Sequence, residues 1–298
     1  MIKKMKSWKI GAIAGLIAGS VSGVVFSIIA EIGASNGLWE DFWRPLIINS
    51  IEPNIFVSMI FGTILGIIYA RIYKVVPGKN ILKGLCFGLI IYLIYIVRID
   101  TFWIGYNYWL NIIGDSISWP FTWIVYGIML EVFYTNLLGY NPEDEKQKII
   151  EYDIKSGFFP GALAGILGGL TASITAVSGP IFGIWRVPYY PKKITIDLIL
   201  SQAGTHIFYN MIWGIIFGLL FTKVYMFIPG RGMKKGFYYG LVLYLITTFQ
   251  QSIFWLGWIL NSSDYSLIIN GVFPTAVTGF FALIPYGIAL GYLYKPSK

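Results

Sequence analysis

The 298-residue chain is 56% hydrophobic and only 12% charged, with a mean hydropathy of +0.69. Soluble domains carry about 25% charged residues, so 14 acids and 22 bases cannot cover a water-soluble fold of this length, and the expected solvent is lipid. A single cysteine, Cys86, and a single histidine, His206, exclude an internal disulfide and any two-histidine metal or haem site.

Crossing the hydrocarbon core takes about 20 apolar residues. Eight stretches qualify, at 10–31, 54–75, 83–105, 118–138, 157–178, 205–227, 236–258 and 273–294. The first follows Lys3, Lys4 and Lys6 as the core of a signal peptide would. It exceeds the usual 7–15 or so residues of such a core, and it has a counterpart further along the chain, so it is read as a span. Along it Gly11, Gly15, Gly19 and Gly23 form a stripe at four-residue spacing. Such stripes let helix backbones approach closely where lipid gives no hydrophobic reward for association. Glu31 lies near its outer end. The following loop, 37–53, carries Trp39 and Trp43, which suit the headgroup layer.

The second stretch ends with Arg71 near the opposite face. The third places Arg98 and Asp100 inside the membrane if it continues to Phe102-Trp103, with Arg98 about 10 Å below the outer end at roughly 1.5 Å per residue. Positions two apart do not share a helix face, so each either finds a partner elsewhere, Glu31 lying at a compatible depth for Arg98, or snorkels to the outer interface. The fourth stretch carries Glu131 past the midplane. It either pairs with Arg71 or faces a wet cavity, where it binds a cation or relays a proton. Ionisable residues at such depths are functional suspects by default, since each costs about 2.5–3.5 kcal/mol on insertion scales.

Residues 139–156, with Glu143, Asp144, Glu145, Lys146 and Lys148, form the one strongly polar linker. In the fifth stretch Gly157, Gly161, Gly165 and Gly169 repeat the stripe of the first. The loop 179–204 brings Trp185, Tyr189 and Tyr190, and residues 194–203 are expected to make a short helix lying in the interface. His206 opens the sixth stretch and Lys223 closes it at the depth of Arg71. The seventh is interrupted by Gln250 and Gln251, and the eighth is apolar throughout.

The second half of the chain repeats the first. Gly11, Gly15 and Gly19 align with Gly161, Gly165 and Gly169. Gly37-Leu38-Trp39 aligns with Gly183-Ile184-Trp185, and Gly62 and Gly66 align with Gly214 and Gly218. Pro77-Gly78 with Lys83-Gly84 aligns with Pro229-Gly230 and Lys235-Gly236. Phe102-Trp103-Ile104-Gly105 aligns with Phe254-Trp255-Leu256-Gly257, and Tyr126-Gly127-Ile128 with Tyr286-Gly287-Ile288. Only Arg44, Arg98, Arg186, Lys192 and Lys193 of the 22 basic residues fall on one side. The positive-inside rule then makes both termini cytoplasmic in a plasma-membrane protein. The expected organisation is all-α: eight transmembrane helices as two tandem, parallel-related four-helix units, 1–138 and 157–298, joined by the linker 139–156.

The runs Gly11-Ala12-Ile13-Ala14-Gly15-Leu16-Ile17-Ala18-Gly19 and Tyr286-Gly287-Ile288-Ala289-Leu290-Gly291 resemble a loose group of uncharacterised prokaryotic membrane proteins. Those proteins also use four-helix units that open with Gly-x-x-x-Gly repeats and close with Tyr-Gly. The resemblance implies a fold and no activity.

For function, duplication together with Arg98, Asp100 and Glu131 points to a small-solute or ion permease or channel, with a path between the two repeats. The alternative is a non-catalytic scaffold or subunit of a membrane complex, built on the glycine faces. The bilayer, a small solute or ion, and a membrane-protein partner or second copy are the expected partners; nucleic acid and cofactors are not expected. Enzyme chemistry lacks a phosphate loop, paired acids, metal spacing or a nucleophile for His206.

Overall fold

A computed structural model of the chain describes residues 6–38, 51–105, 109–138, 154–184, 196–253, 256 and 268–296. Every regular element among them is helical. The α-helices are α1 (Ser7–Ser35), α2 (Ile51–Ile72), α3 (Ile81–Gly105), α4 (Trp109–Leu138), α5 (Phe158–Ile181), α6 (Ile196–Val224), α7 (Gly232–Tyr244) and α8 (Phe273–Leu293). Single 3-10 turns precede α5 (Ile154–Gly157) and follow α6 (Tyr225–Phe227), and π-turns follow α7 (Leu245–Phe249) and precede α8 (Ile268–Val272). In hydrocarbon every backbone polar group must be satisfied within the segment, which leaves the helix as the solution for apolar runs of this length. Six candidate spans, on α1, α2, α4, α5, α6 and α8, are long and apolar enough to cross a bilayer, and α3 adds the shorter apolar run Ile81–Tyr95. These are the elements of a multi-pass membrane protein.

Two boundaries depart from the sequence expectation. Residues 196–203 are not a separate interfacial helix but the first turns of α6, and α4 begins at Trp109, well before 118. Hydroxyls are tolerated inside these apolar helices: Thr122 donates to Ser118 O (2.9 Å) and Ser27 to Gly23 O (2.8 Å), each one turn back.

The chain divides into two compact units, Met1–Ile149 with Ile253–Ser263, and Ile150–Ser252 with Asp264–Lys298. Within the first, α1 packs on α2 and α4, and α4 on α3; within the second, α5 packs on α6 and α8, and α8 on α7. The glycine stripes make backbone-to-backbone contacts at two of these interfaces. A methyl group on Gly11 would overlap the carbonyl of Gly66, one on Gly15 that of Gly62, and one on Gly19 that of Ser58. In the second unit Gly157 meets Gly218, Gly161 meets Gly214 and Gly165 meets Asn210 in the same way. The contacts therefore match Gly11 with Gly157, one turn away from the alignment of Gly11 with Gly161 read from the sequence. A stripe of period four looks the same after a four-residue slip, so sequence alone cannot hold its register.

Both stripes are also closed by the same cap. Gly37 (φ 78°) and Gly183 (φ 68°) turn the chain in the left-handed region, with Leu38 N–H donating to Gly33 O (2.9 Å) and Ile184 N–H to Gly179 O (2.8 Å). A second glycine seam joins α3 to α4 through Gly84 and Gly127, and α7 to α8 through Gly236 and Gly287. Tyr126 of α4 straps α2 by donating to Gly62 O (2.8 Å), and Tyr286 of α8 does the same to Gly214 O of α6 (3.0 Å). Pro285 removes the N–H that would bond Phe281 O inside α8; the Thr171 hydroxyl of α5 donates to that carbonyl instead.

Candidate functional site

The most unusual buried group is Glu131. It lies on α4, one turn beyond the Gly127 seam, and its side chain is 2% exposed. A carboxylate accepts up to four hydrogen bonds and donates none, so in an apolar bundle its neighbours must supply protons. Tyr69, near the end of α2, donates its hydroxyl to Oε2, and Tyr73, just past α2, donates to Oε1 at 3.0 Å. Tyrosines four apart on one helical path lie on one face, which lets the pair grip both oxygens.

The rings around them form one cluster. Tyr69 meets Tyr73 edge-on (5.3 Å between centroids), Phe87 of α3 at 4.7 Å and Tyr134 of α4 at 5.6 Å, while Tyr73 lies 5.2 Å from Tyr134. Lys83, in the first turn of α3, closes the corner. Its ammonium sits 4.0 Å from the centre of the Tyr73 ring and donates to Tyr73 O at 2.9 Å, and its positive charge acts on Glu131. Tyr73 thus anchors both charged groups, Glu131 through its hydroxyl and Lys83 through its main-chain carbonyl and ring.

The structure departs here from the expected partner. Arg71 is exposed and takes no part in holding Glu131; two residues apart from Tyr69 and from Tyr73, it lies on the other side of α2. Lys223, its counterpart on α6, is exposed as well. Glu31 is partly buried near the end of α1. Arg98 and Asp100 lie on α3 and His206 on α6, but their side chains, like the loops 39–50 and 185–195 and most of the linker 139–156, fall outside the described residues. Gln250 and Gln251 are both buried just after the Leu245–Phe249 turn.

The matching corner of the second unit has the same scaffold without the acid. Lys235 lies 3.9 Å from the Tyr225 ring and donates to Tyr225 O at 2.6 Å. Tyr294 packs on Phe221 (5.4 Å) and Tyr225 (5.0 Å), and Phe221 on Tyr239 (4.9 Å). Where the first unit has Glu131 and Tyr69, however, the second has Gly291 and Phe221. The acid and one of its two hydroxyl donors, Tyr69, are present together in one unit and absent together from the other, while Tyr73 keeps a counterpart in Tyr225.

Sequence reading singled out Glu131 against Gly291 but missed Tyr69, Tyr73 and Lys83. The available signal was the second difference between the halves, Tyr69 against Phe221. Among the described residues no group of histidine, cysteine and acidic side chains is arranged to hold a metal ion. Comparison with protein-family models, with curated proteins and with solved structures finds no match to this chain.

Proposed function

We propose that this chain is an eight-span plasma-membrane permease for a small cation or solute, with Glu131 as the group whose charge is exchanged during transport. The further parts of the proposal are an internal duplication, both termini in the cytoplasm, and a common orientation for the two halves. The bias of Lys and Arg toward one set of loops supports that topology, and labelling of cysteines at positions 79 and 231 from the same side of intact cells is its test.

One observation carries the transport reading: a buried carboxylate, held by two hydroxyls, in a corner that the second unit builds without it. Lys235, Tyr225 and Tyr294 make the corresponding contacts with one another in the second unit, where Gly291 stands in place of the acid, so those contacts do not need it. A carboxylate kept in a span against an insertion cost of about 2.5–3.5 kcal/mol is the kind of group used in proton and ion pathways. Tyr69 and Tyr73 stabilise the charged form, Lys83 balances it, and an entering cation or proton would take over the role of Lys83.

The test uses the full chain in liposomes loaded with a pH-sensitive dye, with an imposed potassium gradient and valinomycin. Wild-type protein is expected to carry charge, Glu131→Gln to lose that flux by an order of magnitude or more, and Lys223→Gln to retain it. Equal rates in wild type and Glu131→Gln would return the chain to a scaffold role.

A further inference from the structure

The second unit holds a buried polar group of its own, independent of Glu131. After α7 the chain widens into the Leu245–Phe249 π-turn, and Thr247, Thr248, Gln250, Gln251 and Ser252 are all buried there. Turns of this kind inside helices collect at functional sites because the extra residue re-aims the groups around it.

Most of these groups are satisfied. Thr247 Oγ1 donates to Leu243 O and Ser252 Oγ to Thr248 O, each at 2.8 Å. Thr248 packs into the space left by Gly279 of α8, where a methyl group would overlap its Cγ2 and Oγ1. Gln250 differs. Its side chain is 2% exposed, yet Oε1 accepts a hydrogen bond from no described residue. An acceptor left unmatched in a dry interior is costly, and methionine or leucine would have filled the same volume without it. The Thr247 and Thr248 hydroxyl oxygens, in the same π-turn that Gln250 follows, lie 3.4 Å from each other.

We infer that the π-turn is a binding site for a small monovalent cation, alkali or ammonium, with Gln250 Oε1 as its principal ligand and the threonine hydroxyl oxygens beside it. Neutral carbonyl and hydroxyl oxygens suit weakly hydrated monovalent ions; a divalent ion calls for carboxylates, and this group has none. The site stands apart from the transport reading, since it involves neither Glu131 nor its tyrosines.

The test is thermal unfolding of the full-length protein in nanodiscs, in sodium, potassium, ammonium or choline chloride at one ionic strength. At least one of the small cations is expected to raise the wild-type Tm by about 2–4 °C over choline. Gln250→Met should abolish that difference and, in choline, unfold no lower than wild type, because it removes the unmatched oxygen. The inference is overturned if no small cation differs from choline, if the difference survives Gln250→Met, or if Gln250→Met is destabilised in choline. Glu131→Gln should keep the shift; its loss there and not in Gln250→Met would assign the ion to Glu131 and overturn the inference equally.

Discussion

The two corners next to the Pro77–Gly78 and Pro229–Gly230 turns are built alike and equipped differently. Each has a lysine lying on a tyrosine ring and bonded to that tyrosine's carbonyl, a second tyrosine closing the cluster, and a glycine seam behind it. One then adds Glu131 with the Tyr69 hydroxyl; the other has Gly291 and Phe221. The shared parts are what packing requires, and the parts present once are what packing does without. Comparison of two regions of one chain thereby separates what packing needs from what it does not.

The comparison can be broken most forcefully at the glycines. Gly15→Leu and Gly161→Leu each drive a side chain into the carbonyl of the facing helix, and each is expected to cost about 3 kcal/mol, seen as loss of monodisperse protein on gel filtration. If only one variant fails, the two seams are not equivalent. Glu131→Ala comes next: it strands two hydroxyls and should cost roughly 2 kcal/mol in a reversible unfolding titration. Tyr69→Phe alone should cost about 1 kcal/mol. The double variant, which approaches the corner of the second unit, should cost less than the sum by about 1 kcal/mol; strict additivity would show that the pair is not a unit.

Smaller effects sharpen the shared parts. Tyr126→Phe and Tyr286→Phe remove the same strap and should each lose about 1 kcal/mol, equal within error. Lys83→Met and Lys235→Met remove the same cation–π contact, worth about 0.5–1 kcal/mol. Lys83→Met should be the more damaging of the two, because only Lys83 also faces an acid.

Much of the fold is legible in residue order. Runs of apolar residues mark the helices, Gly37 and Gly183 mark where two of them stop, and the stripes at Gly11 and Gly157 mark which faces approach. The register of those stripes was not legible, because a period of four cannot distinguish one turn from the next; the carbonyls of Gly62 and Gly66 across the seam decide it. Nor was the start of α4, which lies at Trp109, well before the expected 118.

The sequence by itself pointed to lipid through its scarcity of charge and to helices through the length of its apolar runs, since a run of about 20 such residues satisfies its own backbone as a helix. Which groups answer a buried charge depended on tertiary structure. Arg71 is near Glu131 in depth and has the right sign, but it projects from the wrong side of α2, and hydrogen bonding demands contact within about 3 Å. Tyr69 and Tyr73 meet that condition, because the close approach of α1 to α2 and of α3 to α4 brings their hydroxyls to the carboxylate.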